Sequence, residues 1–166
     1  MTEEKAILAG GCFWGMEELL RQLDGVTATR VGYTGGTLTN PTYDDICTGR
    51  TQHAEAVEVI FNSQKLSFEA LLQFFFQIHD PTTPNRQGND KGTQYRSAIF
   101  CLNEDQQRTA MRLISQMKAS KKWPGNIATE VVPVSIFYEA EPYHQRYLEL
   151  RPHGYNCHFV RPEWRL

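Results

Sequence analysis

Helix-period and strand-period stretches alternate along this chain, and that alternation restricts it to helices packed on a sheet. In MEELLRQLD, Met16, Leu19, Leu20 and Leu23 recur at i, i+3, i+4 and i+7, the apolar face of a helix. In AEAVEVIF, residues 55, 57, 59 and 61 share one side of a strand, because strand side chains alternate. KAILAGG predicts a short buried strand entering a glycine turn, Asp24-Gly25 closes the first helix, and VTATRVGY is the next strand. SFEALLQFFFQIH reads as a very apolar helix with Ser67 as its N-cap, SAIFCL as a strand, and NEDQQRTAMRLISQMKAS as a more polar helix capped by Asn103. ATEVVPVSIFYEA has strand composition, but Pro133 predicts an edge or an interruption; Pro142 fits the first turn of a closing helix, PYHQRYLEL.

The order predicts an α+β chain, a two-layer α/β sandwich of helices on a mixed sheet. With 166 residues, 40% of them hydrophobic, the chain is expected to form a single domain, 1–166, with an irregular C-terminal tail from about residue 151. Lys plus Arg (17) nearly balances Asp plus Glu (19), so no electrostatic nucleic-acid or membrane partner is expected. MTEEK lacks an apolar signal core and no apolar run is long enough to span a bilayer, which predicts a cytoplasmic protein. Nothing in the pattern asks for more than a monomer.

The irregular stretches carry the chemistry. Segments of about 32–53 and 80–95 are too long to be mere joints and predict ordered functional loops. Cys12 follows Gly10-Gly11 where a strand gives way to a helix, so its thiol faces unpaired amides that favour the thiolate; otherwise it is a small buried hydrophobe. Phe13 and Trp14 are either core aromatics or an apolar wall beside that sulfur. Glu55 shares a strand face with Val57, Val59 and Phe61. If that face is the core, desolvation raises its pKa and makes it a proton donor; if not, it is a surface acid. Glu58 points the other way. Tyr43 and Tyr95, one in each long loop, offer neutral hydrogen-bond donors, and Asp90 either orients substrate or shapes a turn.

Of the remaining cysteines, Cys157 in the tail and Cys47 in the first loop are rival partners for Cys12, whereas Cys101 lies in a strand. The cysteines show no C-x-x-C pair and the five histidines no ligand spacing, so no metal site is expected. His144 and His79 are expected on helix faces, and His53 as a support for the loop before Glu55.

GGCFWG, NPTYDDICTGRTQHAEAVEV, DPTTPNRQGNDKGTQYRSAIF and YHQRYL together resemble the A-type peptide-methionine sulfoxide reductases, over about residues 5–162. The resemblance implies a two-layer α/β sandwich related to the ferredoxin-like plait, and reduction of methionine S-sulfoxide, free or in proteins, without metal or organic cofactor. It implies Cys12 as nucleophile, Glu55 as proton donor, Tyr43 and Tyr95 on the sulfoxide oxygen, Phe13 and Trp14 on the methyl group, and Asp90 in substrate binding. It also implies a resolving cysteine in the tail, here Cys157, and thioredoxin as reductant; Cys47 is then ranked as structural. A non-catalytic sulfoxide-binding or redox-sensing module and a thiol peroxidase are the alternatives.

Overall fold

The computed structural model describes residues 2–166. Strand β1 (Glu3–Gly10) leads into helix α1 (Phe13–Arg21) and strand β2 (Val26–Thr34). A long connection holding the short helix α2 (Tyr43–Cys47) reaches β3 (Ala54–Asn62), then α3 (Phe68–Ile78). The second long connection contains a two-residue ribbon, β4 (Arg86–Gln87) with β5 (Asp90–Lys91), and a 3-10 turn at Thr93–Tyr95. β6 (Ser97–Cys101), α4 (Glu104–Ser120), β7 (Glu130–Pro133), β8 (Tyr138–Glu139) and α5 (Tyr147–Leu150) follow.

Six strands form one sheet in the order β7-β6-β1-β3-β2-β8. All neighbours are antiparallel except β6 and β7, which makes the sheet mixed, as the alternation predicts. β3 therefore runs between β1 and β2, with Val57 opposite both Leu8 and Val31. One face of the sheet carries Leu8, Val31, Tyr33, Val57, Val59 and Phe61 against Met16 and Leu20 of α1, Phe75 and Phe76 of α3, and Leu113 of α4. Each such side chain taken fully out of water contributes about 1.5–3 kcal/mol, so this face holds the layers together. The other face is small-residued, with Ala9, Ala54, Ala56 and Ala98 around Ile7 and Phe100.

The two expected caps form: Ser67 Oγ accepts from the Ala70 amide at 3.0 Å and Asn103 Oδ1 from the Gln106 amide at 2.9 Å. The edge and interruption expected at Pro133 are both present, and one other reading needs correction. The stretch around Pro133 is not one strand. It divides into β7 and β8 on opposite edges of the sheet, because Pro133 has no N–H to extend the ladder and the chain crosses the alanine-lined face, where Phe137 packs. PYHQRYLEL is likewise two pieces, a 3-10 turn at Pro142–His144 and α5, separated by Arg146 at φ 51°. The buried Glu17 carboxylate accepts from the Arg146 amide at 2.7 Å and from the Thr29 hydroxyl at 2.8 Å, holding that break in place.

Candidate active site

The turn Gly10-Gly11-Cys12 joins the central strand β1 to α1. Gly11 sits at φ +99°, a conformation that favours glycine, and it brings Cys12 to the N-cap of α1. The thiol is 9% exposed. Burial, followed by the neighbouring Glu55 carboxyl, pushes its pKa well above the ordinary thiol range, and the Trp14 amide lowers it only in part. This corrects the thiolate expected from the helix terminus. One amide and the dipole of a nine-residue helix do not offset the loss of water around the sulfur. Cys12 is thus held as a thiol.

Glu55 lies on β3 opposite Tyr33 and is 2% exposed, on the core face with Val57, Val59 and Phe61. Its Oε1 accepts from the Phe13 amide at 3.2 Å, which joins it to the first residue of α1 beside Cys12. Burial pushes its pKa up to about 8; the Phe13 hydrogen bond opposes this and Asp90 adds to it. The carboxyl is thus predominantly protonated at neutral pH.

Three further segments close on this pair. Tyr43 begins α2, its amide donating to Glu141 Oε2 at 2.8 Å and its ring 4.5 Å from that of His144. Tyr95 ends the 3-10 turn of the second long connection. Both phenols are held neutral, first by burial and then by Glu55; Tyr95 also feels Asp90, Cys12 and Cys47. Asp90 opens β5 and its Oδ2 accepts from the Tyr155 hydroxyl at 3.1 Å and the Cys157 thiol at 3.8 Å. The two long loops and the tail therefore meet at one place.

Phe13 is 1% exposed and packs on Tyr33 and His144, with ring centroids 5.7 and 5.2 Å away. Trp14 is half-buried: its indole N–H donates to His144 Nδ1 at 2.9 Å and its ring stacks on Tyr147 at 3.8 Å. Trp14 thus presents the accessible aromatic surface, with Phe13 behind it.

All four cysteines are free; Cys12 and Cys101 are buried, Cys157 is half-buried and Cys47 exposed. Cys157 is close enough to Cys12 to raise its pKa. Cys47 ends α2, exposed and near enough to the Tyr43 phenol to influence its ionisation. Among the described residues no cluster of three or more His, Cys, Asp or Glu side chains is arranged to hold a metal ion.

Several residues support the site in ways the sequence did not show. His144 ends a 3-10 turn rather than lying on a helix face, and is wholly buried between Phe13, Trp14 and Tyr43. His79 is also wholly buried, bonded to Phe75 O and Ser97 Oγ. Glu141 accepts from the Tyr33 hydroxyl and the Tyr43 amide, both at 2.8 Å. The only sign of His144 was its place in YHQRYL; Glu141 had none. His53 does support the loop before Glu55, accepting from the Gly36 amide at 3.0 Å and donating to Leu38 O at 2.7 Å.

The family model described as peptide methionine sulfoxide reductase matches residues 4–165. A Mycobacterium ulcerans protein named peptide methionine sulfoxide reductase MsrA is 59% identical over 165 residues, covering 99% of this chain and 94% of that protein. Reduced Mxr1 from Saccharomyces cerevisiae superposes with a TM-score of 0.91 at 38% identity, over 96% of this chain and 92% of Mxr1. Mxr1 in complex with Trx2 gives a TM-score of 0.65 at 26% identity, over 96% and 90% of the two chains. With a family match across nearly its whole length and a relative this similar, the chain belongs to the peptide methionine sulfoxide reductases.

Proposed function

We propose that this chain reduces methionine S-sulfoxide, free or in proteins, to methionine, and so repairs oxidised proteins. The observation that carries this reading is the pairing of a buried, protonated Glu55 with the Cys12 thiol through the Phe13 amide. A sulfoxide needs a proton on its oxygen before its sulfur becomes electrophilic. Glu55 gives that proton while Cys12 Sγ attacks, and the Glu55 carboxylate then takes the proton leaving the thiol. The net change moves one oxygen: the sulfoxide becomes a thioether and Cys12 a sulfenic acid.

The Tyr43 and Tyr95 hydroxyls hydrogen-bond the sulfoxide oxygen as its charge changes, and their neutrality means that they add no competing anion. Trp14, backed by Phe13, faces the substrate methyl group, and Asp90 binds the substrate's polar backbone. Cys157 resolves the sulfenic acid to a Cys12–Cys157 disulfide, supported by its place beside Asp90 and its proximity to Cys12. Thioredoxin then reduces that disulfide, a step supported by the family's Mxr1–Trx2 complex. The exposed Cys47 beside Tyr43 supports a second reading, in which it takes over resolution when Cys157 is absent.

We read the chain as one catalytic domain that works as a monomer, its four free thiols suiting the reducing cytoplasm. No helix among the described residues is long and apolar enough to cross a membrane. The interleaving of β1-α1-β2 with β3-α3-β6 supports a ferredoxin-like plait as the core. Turnover of the separated sulfoxide epimers with dithiothreitol tests the assignment: the S epimer is reduced and the R epimer is not. Reduction of R alone, or of neither, contradicts it.

A further inference from the structure

The resolving thiol has a problem that the first thiol does not. Glu55 serves Cys12, but Cys157 is half-buried, its pKa raised chiefly by desolvation, and it too must lose a proton to attack. Its neighbour His158 is only 6% exposed although the tail around it is irregular. His158 Nε2 lies 2.7 Å from Gly10 O, and a carbonyl only accepts, so Nε2 carries the ring's proton. Burial pushes the imidazole down to about 4, so the ring is neutral and Nδ1 is a free lone pair. That nitrogen is 3.8 Å from Cys157 Sγ.

Resting on the functional reading above, we propose that His158 is the general base of the resolving step and the pin that registers the tail on the nucleophile turn. Its N–H to Gly10 O ties it two residues from Cys12, and its own amide donates to Asn156 Oδ1 at 2.9 Å. α1 makes room for it: a Cβ on Gly15 would fall 2.4 Å from His158 Nδ1 and 2.5 Å from Asn156 Oδ1. The Arg161 amide, donating to Gln77 O at 2.9 Å, fixes the far side of this segment. In the step, Nδ1 takes the Cys157 proton as Cys157 Sγ bonds to Cys12 Sγ. The S–O bond of the sulfenic acid breaks and the hydroxide leaves as water with the proton that Nδ1 received. Cys157 is oxidised and the sulfenic acid reduced, so no further oxidant is needed.

The charged and titratable groups around the ring and its thiol are Cys157, Asp90, Tyr155, His79 and Arg161. Asp90 Oδ2 is the rival base, at the same 3.8 Å, but it already accepts from Tyr155. The test is rapid-quench single turnover of the reduced enzyme with excess S-sulfoxide and no thioredoxin. Methionine release is timed by chromatography, the sulfenic acid by its dimedone adduct, and the disulfide by mass. His158→Gln keeps an N–H for Gly10 O but has no basic nitrogen. It lengthens the interval between methionine release and disulfide formation by on the order of 100-fold. His158→Ala does the same with a looser tail.

The unmutated enzyme supplies an arm that needs no variant to fold. Its disulfide rate stays flat from pH 5 to 8, whereas His158→Gln climbs about tenfold per pH unit because only thiolate formed in water reacts. An unchanged interval in His158→Gln, a tenfold climb per unit in the unmutated enzyme, or slowing by Asp90→Asn alone each overturns the proposal. Failure of the unmutated enzyme to release methionine rejects the functional reading instead.

Discussion

Glu55 and Glu58 stand three residues apart on β3, are 2% and 4% exposed, and have opposite protonation behaviour. Burial alone pushes both upward. On Glu58's face, Arg30 donates to the carboxylate at 2.7 and 3.1 Å and Lys5 approaches to 3.5 Å; together they outweigh desolvation and hold the acid below its usual range. On Glu55's face the donor is the neutral Phe13 amide, and the nearby charge is another acid, Asp90. Strand alternation sends one carboxyl to cations and the other to a thiol and two phenols. A buried carboxyl keeps its proton when its partners are neutral and gives it up when they are cationic.

The comparison breaks most sharply through activity. Glu55→Gln keeps the shape and loses the transferable proton, so the first-turnover rate falls by about 100-fold or more with binding little changed; the corresponding Glu58→Gln leaves the reaction's pH profile as it was. In the unmutated enzyme the rate of methionine release falls as pH rises through about 8, where Glu55 loses its proton. A stopped-flow pH series reads both.

Stability gives the next arm, on the order of 5 kcal/mol at most. Glu55's folded pKa lies above its unfolded value of 4.5, so its contribution is fully present below about 4.5 and is lost as pH rises to about 8. Urea unfolding of Glu55→Gln shows a correspondingly weaker loss of stability over that window.

Arg30→Met leaves the buried Glu58 carboxylate with Lys5 alone and costs about 1–3 kcal/mol at pH 7. Because Glu58's folded pKa is depressed, the stability it contributes is present above 4.5 and lost as pH falls through its folded value. The penalty of Arg30→Met therefore disappears in acid. Asn103→Ala removes a helix cap far from either acid, costs about 1 kcal/mol and leaves the pH limb of activity untouched.

Periodicity made the layers legible: β3's alternation grouped Glu55 with Val57, Val59 and Phe61 but left open whether that face is core or surface, and Ser67 and Asn103 marked their helix starts. Motif resemblance named Cys12, Tyr43, Tyr95 and Asp90, but not their electrostatics. The thiolate expected at Cys12 follows from helix position, which is visible in a sequence, whereas the desolvation that keeps it a thiol is not. His144, Glu141, Glu17 and His158 were hidden for a similar reason. Each acts through long-range bonds, from the tail to α1, α2 or the glycine turn before Cys12, that no local pattern encodes. The division around Pro133 was half visible, since proline signals an interruption but not the crossing to the opposite sheet edge.

The proton on Glu55 is the centre of this account, and it can be watched directly. Carboxyl-labelled glutamate, assigned by comparison with Glu55→Gln, reports the ionisation of that side chain in the reduced enzyme by carbon NMR. A midpoint near 8, with the neutral acid dominant at pH 7, is the predicted result. A midpoint at or below the ordinary 4.5 would show an anion beside Cys12 and contradict the mechanism.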